Sequence, residues 1–144
     1  MKPLWACPRC GRAFANQNQT HTCAPVAELG ERLAGVPPDV VALFERFRAL
    51  IERCGPVTVL PEKTRIAFQV RMSFAVAIPR RRWLDGHLVL ARRVEDERFR
   101  RIETYSPRNH AHLFRVSVLA ELDERFAELV AEAYQVGAQR HLTS

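Results

Sequence analysis

Arg65-Ile66-Ala67-Phe68-Gln69-Val70-Arg71-Met72-Ser73-Phe74-Ala75-Val76-Ala77-Ile78 is the stretch that decides the fold class. Its large apolar residues, Ile66, Phe68, Val70, Met72, Phe74, Val76 and Ile78, recur every second position, the period of a half-buried strand. Fourteen alternating residues exceed an ordinary strand, so the pattern predicts a hairpin that turns near Arg71-Met72. Asp85-Gly86 reads as a further tight turn ahead of a strand from His87 to Arg92. A last strand is expected at roughly His112 to Val118.

Helical spacing brackets these strands. Val40, Phe44, Phe47, Ile51 and Cys54 share one stripe, with Asp39 placed to cap the helix and Gly55-Pro56 to stop it. Leu122, Phe126, Leu129, Val130, Ala133 and Tyr134 form a second stripe that Gly137 ends. A helix, neighbouring strands and a helix predict an α+β domain, with an antiparallel sheet of about four strands covered by helices on one face. Cys54, late in the first helix, reads as a small buried apolar residue.

The start of the chain follows different rules. Cys7-Pro8-Arg9-Cys10-Gly11 has the form of a knuckle that folds two thiolates onto one ion, with a glycine that tolerates the turn. His21 and Cys23, one residue apart, point to the same side of an extended segment. The ten residues between Cys10 and His21 suffice for a small hairpin, with its turn at Asn16-Gln17-Asn18-Gln19. Cys7, Cys10, His21 and Cys23 make a closed tetrahedral set, which favours structural Zn2+ over catalytic Zn2+. A disulfide or unrelated cysteines are the alternatives. Met1-Lys2-Pro3-Leu4-Trp5 leads straight into the knuckle without a secretory pattern, so a cytoplasmic location is expected, where disulfides are disfavoured. Val26, Leu29 and Leu33 predict a short helix after the knuckle, in a treble-clef-like arrangement. Gly35-Val36-Pro37-Pro38 is the expected joint, which divides the chain into a zinc module (1–36) and an α+β domain (37–144).

Composition is that of a folded, basic protein. The 144 residues are 47% hydrophobic and 26% charged, with a net charge of +6. No apolar run reaches membrane-spanning length. Residues 63–115 hold thirteen Lys or Arg against five acids, a balance of +8, whereas residues after 115 hold two against five, a balance of −3. Basic charge is therefore concentrated on the strands and their loops, where it can gather phosphate-bearing ligands. The candidate nucleic-acid set is Lys63, Arg65, Arg80, Arg81, Arg82, Trp83, Arg101, Arg108 and Arg115. Arg80-Arg81-Arg82-Trp83 joins phosphate-binding guanidiniums to a stacking ring. Only Lys2 and Lys63 among the 22 basic residues are lysine, a skew that genomic base composition also explains.

Ser106-Pro107-Arg108-Asn109-His110-Ala111-His112 is the one cluster suited to acid–base chemistry, with Lys63 and Tyr105 as neighbours. Two imidazoles on one strand face could cleave a phosphodiester, simply hydrogen-bond within a loop, or form an incidental second metal site. The chain contains no Gly-rich phosphate loop, nucleophile elbow or clear carboxylate pair.

Trp5-x-Cys7-Pro8-x-Cys10-Gly11-Arg12-x-Phe14, His21-x-Cys23, Leu43-Phe44, Gly55-Pro56, Lys63, Ala67-Phe68, Phe74-Ala75, Ile78-Pro79, His112, Asp123 and Ala133-Tyr134 resemble the bacterial family of domains of unknown function numbered 5655. Two departures are the highly charged segment from Val94 to Arg101 and Arg65 in place of a bulky aromatic. The resemblance implies a zinc-associated α+β domain without an established activity, and it transfers no catalytic residue. Three readings stand: a zinc-stabilised binding module that holds nucleic acid through a basic sheet face, a small phosphodiesterase using His110 and His112, and a protein-interaction or small-ligand domain with no nucleic-acid role, whose arginines are surface filler. The partners expected of the basic face are nucleic acid or an acidic protein.

Overall fold

The computed structural model describes residues 3–8, 13–15 and 29–140. Two short strands, β1 (Trp5–Ala6) and β2 (Ala13–Phe14), pair antiparallel with Trp5 opposite Phe14. A one-turn helix, α1 (Leu29–Leu33), precedes the long helix α2 (Pro38–Glu52). Six strands follow: β3 (Thr58–Pro61), β4 (Ile66–Gln69), β5 (Ser73–Pro79), β6 (Leu84–Leu90), β7 (Phe99–Ser106) and β8 (Asn109–Val116). A 3-10 turn at Leu119–Glu121 leads into α3 (Glu124–Gly137). The strands form one antiparallel sheet in the order β3-β4-β5-β6-β8-β7.

The α+β class and the antiparallel sheet are as expected, but the sheet has six strands rather than about four. The two additional strands are its edges. β3 is only four residues long, and β7 (Phe-Arg-Arg-Ile-Glu-Thr-Tyr-Ser) is too charged to show an apolar alternation. An edge strand with one partner needs no continuous apolar row, so its sequence signal is weak.

The hairpin at residues 70–72 forms as expected, with one change of phase. Phe68 pairs with Ala75 and Gln69 with Ser73, which leaves Phe74 as an additional residue in a β-bulge. Phe74 and Ala75 consequently both join the main core, and Ala77 follows them, while Val76 and Ile78 pack with Leu60 and Ala67 on the other face. The helix-facing positions of β5 are thus mostly its alanines, small enough for a helix to lie close. Gly137 shows the same economy, because a Cβ there would run into the Phe74 ring.

Asp85-Gly86 does not form a turn. Both residues lie inside β6, paired with Ile78 and Ala77 of β5, and the chain reverses at residues 80–83, where Arg80 N–H donates to Trp83 O at 2.9 Å. The last strand spans Asn109–Val116 rather than His112 to Val118, so Ser106–Asn109 closes the β7–β8 hairpin.

Both amphipathic helices pack on one sheet face, as their stripes require. Phe47 is fully buried at the centre, with ring centroids 5.6 Å from Phe68, 5.2 Å from Phe114 and 6.1 Å from Phe126. Asp39 lies in the first turn of α2, where its charge suits the helix dipole, and does not cap it: the capping position is Pro37 and makes no side-chain bond. Asp123 caps α3 by accepting from Phe126 N–H at 2.9 Å. Tyr134 O–H donates to Pro56 O at 2.7 Å and ties α3 to the end of α2. Cys54 is half-buried against the core, its thiol donating to Leu50 O at 3.6 Å, and burial pushes the thiol pKa up. Among the described residues no helix is long and apolar enough to cross a membrane.

Candidate nucleic-acid interface

Alternating strand directions decide which loops meet. β3 ends, β4 begins, β5 ends, β6 begins, β8 ends and β7 begins at the same end of the sheet. That end therefore collects Lys63 and Arg65 from the β3–β4 turn, Arg80, Arg81, Arg82 and Trp83 from the β5–β6 turn, Arg115 near the end of β8, and Arg101 near the start of β7. Eight of the nine candidate nucleic-acid residues share this region. Arg108 does not: it sits in the β7–β8 turn at the opposite end. Arg100, absent from the candidate set, is an exposed bulge residue of β7 at the basic end.

Much of this charge is already engaged. Arg115 grips Asp85 with two hydrogen bonds, 2.8 and 3.2 Å, and its guanidinium lies 4.1 Å from the Trp83 ring centroid. Arg80 reaches the same carboxylate at 3.2 Å. Burial works to raise the pKa of Asp85, but the bonds from Arg115 and Arg80 outweigh it and hold the carboxyl below its ordinary value. Arg65 pairs with Glu62 at 3.0 Å, and Arg101 pairs with Glu103. Lys63, Arg81 and Arg82 are exposed and make no ion pair among the described residues. Trp83 has one ring face covered by Arg115, and its buried indole N–H has no hydrogen-bond partner among the described residues.

The two histidines proposed for acid–base work are fully occupied by the β7–β8 hairpin and the loop that precedes it. His112 is 0% exposed; its Nδ1 lies 2.8 Å from His110 O and its Nε2 accepts from Val94 N–H at 2.9 Å. A carbonyl can only accept, so the proton is on Nδ1. Burial depresses the His112 pKa, partly offset by that backbone bond. His110 Nε2 lies 3.1 Å from Pro107 O and donates to it, leaving Nδ1 to accept from the Thr104 hydroxyl at 2.9 Å. Neither ring keeps a lone pair for a substrate proton. Lys63 does not approach them, since three strands and nearly the length of the sheet intervene.

His87 is the titratable group that sequence reasoning passed over. Assigned to the residue after a turn, it instead sits mid-strand in β6, facing away from the helices between Val76 and Leu113. Burial pushes its pKa to about 4, with repulsion from Arg65 adding to the shift and Glu103 opposing it. The alternation of Leu84, Gly86, Leu88 and Leu90 with Asp85, His87 and Val89 was the signal that placed it. Arg98 was likewise unread. It binds Asp96 through two guanidinium nitrogens at 2.8 Å, Glu121 O at 2.6 Å and Asp123 at 2.7 Å, which fastens the β6–β7 loop to the start of α3.

Of the four expected zinc ligands, Cys7 is buried, with 5% of its surface exposed, directly after β1. The pairing of Trp5-Ala6 with Ala13-Phe14 makes a small two-stranded sheet beside Cys7. Gln69 Nε2 donates to Ala13 O, joining this small sheet to β4. Cys10, His21 and Cys23 lie outside the described residues.

No curated protein and no solved structure matches the chain. Residues 30–137, from α1 to the last residue of α3, match the family described as domain of unknown function DUF5655, and the chain belongs to that family.

Proposed function

We propose that the protein is a zinc-stabilised basic binding module that holds nucleic acid through its phosphates, using the loop end of the six-stranded sheet. The observation that carries this reading is the convergence of exposed cations, Lys63, Arg81 and Arg82 from separate turns and Arg100 from the β7 bulge, on one end of the sheet. Cations without acidic partners are the ones free to replace phosphate counterions. Arg80, Arg115 and Asp85 then act as the frame that fixes the Arg81-Arg82 turn and the Trp83 ring.

Zinc belongs to the same reading. A buried Cys7 directly after the first strand of a two-stranded sheet suits a thiolate knuckle, with Cys10, His21 and Cys23 completing the set. The ion's contribution is a fixed crosslink that orders a segment too short for its own core. The occupied ring nitrogens of His110 and His112 favour binding over phosphodiester cleavage.

The test is a gel-shift series with single-stranded RNA, single-stranded DNA and duplex DNA across salt, scoring cleavage products on the same samples. The expected result is binding that falls steeply with salt and yields no products. R81A/R82A should weaken binding to every sequence and reduce the duplex salt slope by about 2, near 0.9 per phosphate contact. Absence of a shift at low salt, or a slope unchanged in the double variant, refutes the reading.

A further inference from the structure

The outer side of β7 has no strand paired to it among the described residues, and the two sheet edges differ in kind. β3 is four residues long and ends in Pro61, which has no N–H to offer a further strand. β7 is eight residues long and contains no proline. Bulges at Arg100 and Tyr105 bound a regular segment, Arg101–Thr104, in unbroken register with Leu113–His110 of β8. On this segment Arg101 and Glu103 point to the same sheet face, with the Arg101 side chain 69% exposed and the Glu103 side chain 35% exposed.

We propose that β7 is a self-pairing edge, through which two copies of the chain join antiparallel about Ile102 into one continuous twelve-stranded sheet. The charge pattern selects both partner and register. With the two-fold axis through Ile102, Arg101 lies opposite Glu103 of the partner subunit, and Glu103 opposite Arg101 of the partner subunit. Moving the axis to Arg101 or to Glu103 sets identical charges against each other, and parallel pairing does the same at every position. A shift of the axis by half a residue would pair opposite sheet faces, so that the helices of the two copies would lie on different sides. A short isologous contact of this kind is small, and its affinity belongs to the weak end of specific association. It also commits Arg101 to a protein contact and removes it from the nucleic-acid set.

The test is sedimentation equilibrium of the full chain from about 1 to about 500 µM, a span chosen for a dissociation constant on the order of 10 µM. Wild type is expected to show a reversible monomer–dimer equilibrium in this range. R101E and E103R each convert both symmetric pairs to like charges and should raise the dissociation constant about tenfold or more. The double swap R101E/E103R restores complementarity and should return it to near the wild-type value. Both side chains are on the surface, and a thermal melt confirms that each variant folds. A monomer throughout the range, a dimer indifferent to the single changes, or a double swap weaker than either single variant overturns the proposal.

Discussion

Gly86→Ala tests the central packing of the sheet with a single methyl group. Gly86 lies mid-strand in β6 between Ala77 of β5 and Phe114 of β8, on the face that the helices cover. A Cβ there would land on the carbonyl oxygen of Val76, 2.7 Å from Phe114 Cζ and 3.0 Å from Phe114 Cε2. The carbonyl belongs to a paired strand and cannot rotate aside. Phe114 cannot retreat either, since its ring is held 5.2 Å from Phe47 and 5.2 Å from Phe126. Overpacking of this kind costs about 1–3 kcal/mol, and a site with two immobile neighbours belongs at the upper end. The entropy that Ala removes from the unfolded chain returns about 0.4–1 kcal/mol. The net expectation is a loss of about 2 kcal/mol, or roughly 7 °C in Tm for a chain of this size. Urea and thermal unfolding followed by circular dichroism measure it. Gly30→Ala in α1, with nothing within 4 Å of the added methyl, is the matched control and should be neutral or slightly stabilising. Wild-type stability in Gly86→Ala would refute the argument, because it would mean that β5 and β6 do not approach as closely as described.

Phe47→Ala removes the ring shared by Phe68, Phe114 and Phe126 and should cost about 3–5 kcal/mol, read as a fall in the urea midpoint without a change in slope. His87 is neutral in the fold down to about pH 4, whereas an unfolded histidine gains its proton near 6.5. The unfolded state therefore binds more protons in that window. Stability should be intact above pH 6.5 and decline towards pH 4 by up to about 1.4 kcal/mol per unit, with His87→Gln flattening the slope and His112 retaining a share of it. Purified protein should carry one equivalent of zinc by elemental analysis, and Cys10→Ser should lose it while the domain after Pro38 still unfolds cooperatively. Loss of that cooperative transition would show that the knuckle is required by the main core, a coupling for which the bond from Gln69 to Ala13 is one route.

The helices and the central hairpin were legible because burial imposes a period on the sequence. Phe44, Phe47 and Ile51 on α2, and Phe126, Leu129, Val130 and Ala133 on α3, all reach the core as their spacing requires. The reading failed where geometry does not leave a periodic trace. One additional residue at Phe74 reverses which side of β5 meets the helices, and a bulge is invisible to a period-two count. Asp85-Gly86 carries the composition of a turn, yet here the glycine exists to admit a neighbouring carbonyl and a phenylalanine ring. Composition names the freedom a glycine offers and not which of its two uses applies.

The same limit shapes the basic site. Counting charges found an excess of eight in residues 63–115, but a count cannot show which acids lie within reach in the fold. Asp85 takes up Arg80 from the β5–β6 turn and Arg115 from β8, while Asp123 and Glu132 of the acidic C-terminal region draw off Arg98 and Arg92. What remains without an ion pair at this end of the sheet, among the described residues, is a narrower group: Lys63, Arg81 and Arg82 on turns and Arg100 in the β7 bulge. The paired arginines still add to the field around that end, though each contributes against a nearby carboxylate and through screening solvent. An affinity carried by the uncommitted group should therefore track those residues far more closely than total charge. Arg82→Ala and Arg92→Ala, which change the net charge equally, separate the two accounts. Equal losses of nucleic-acid affinity would assign binding to overall charge, and a loss confined to Arg82→Ala would assign it to the loop end of the sheet.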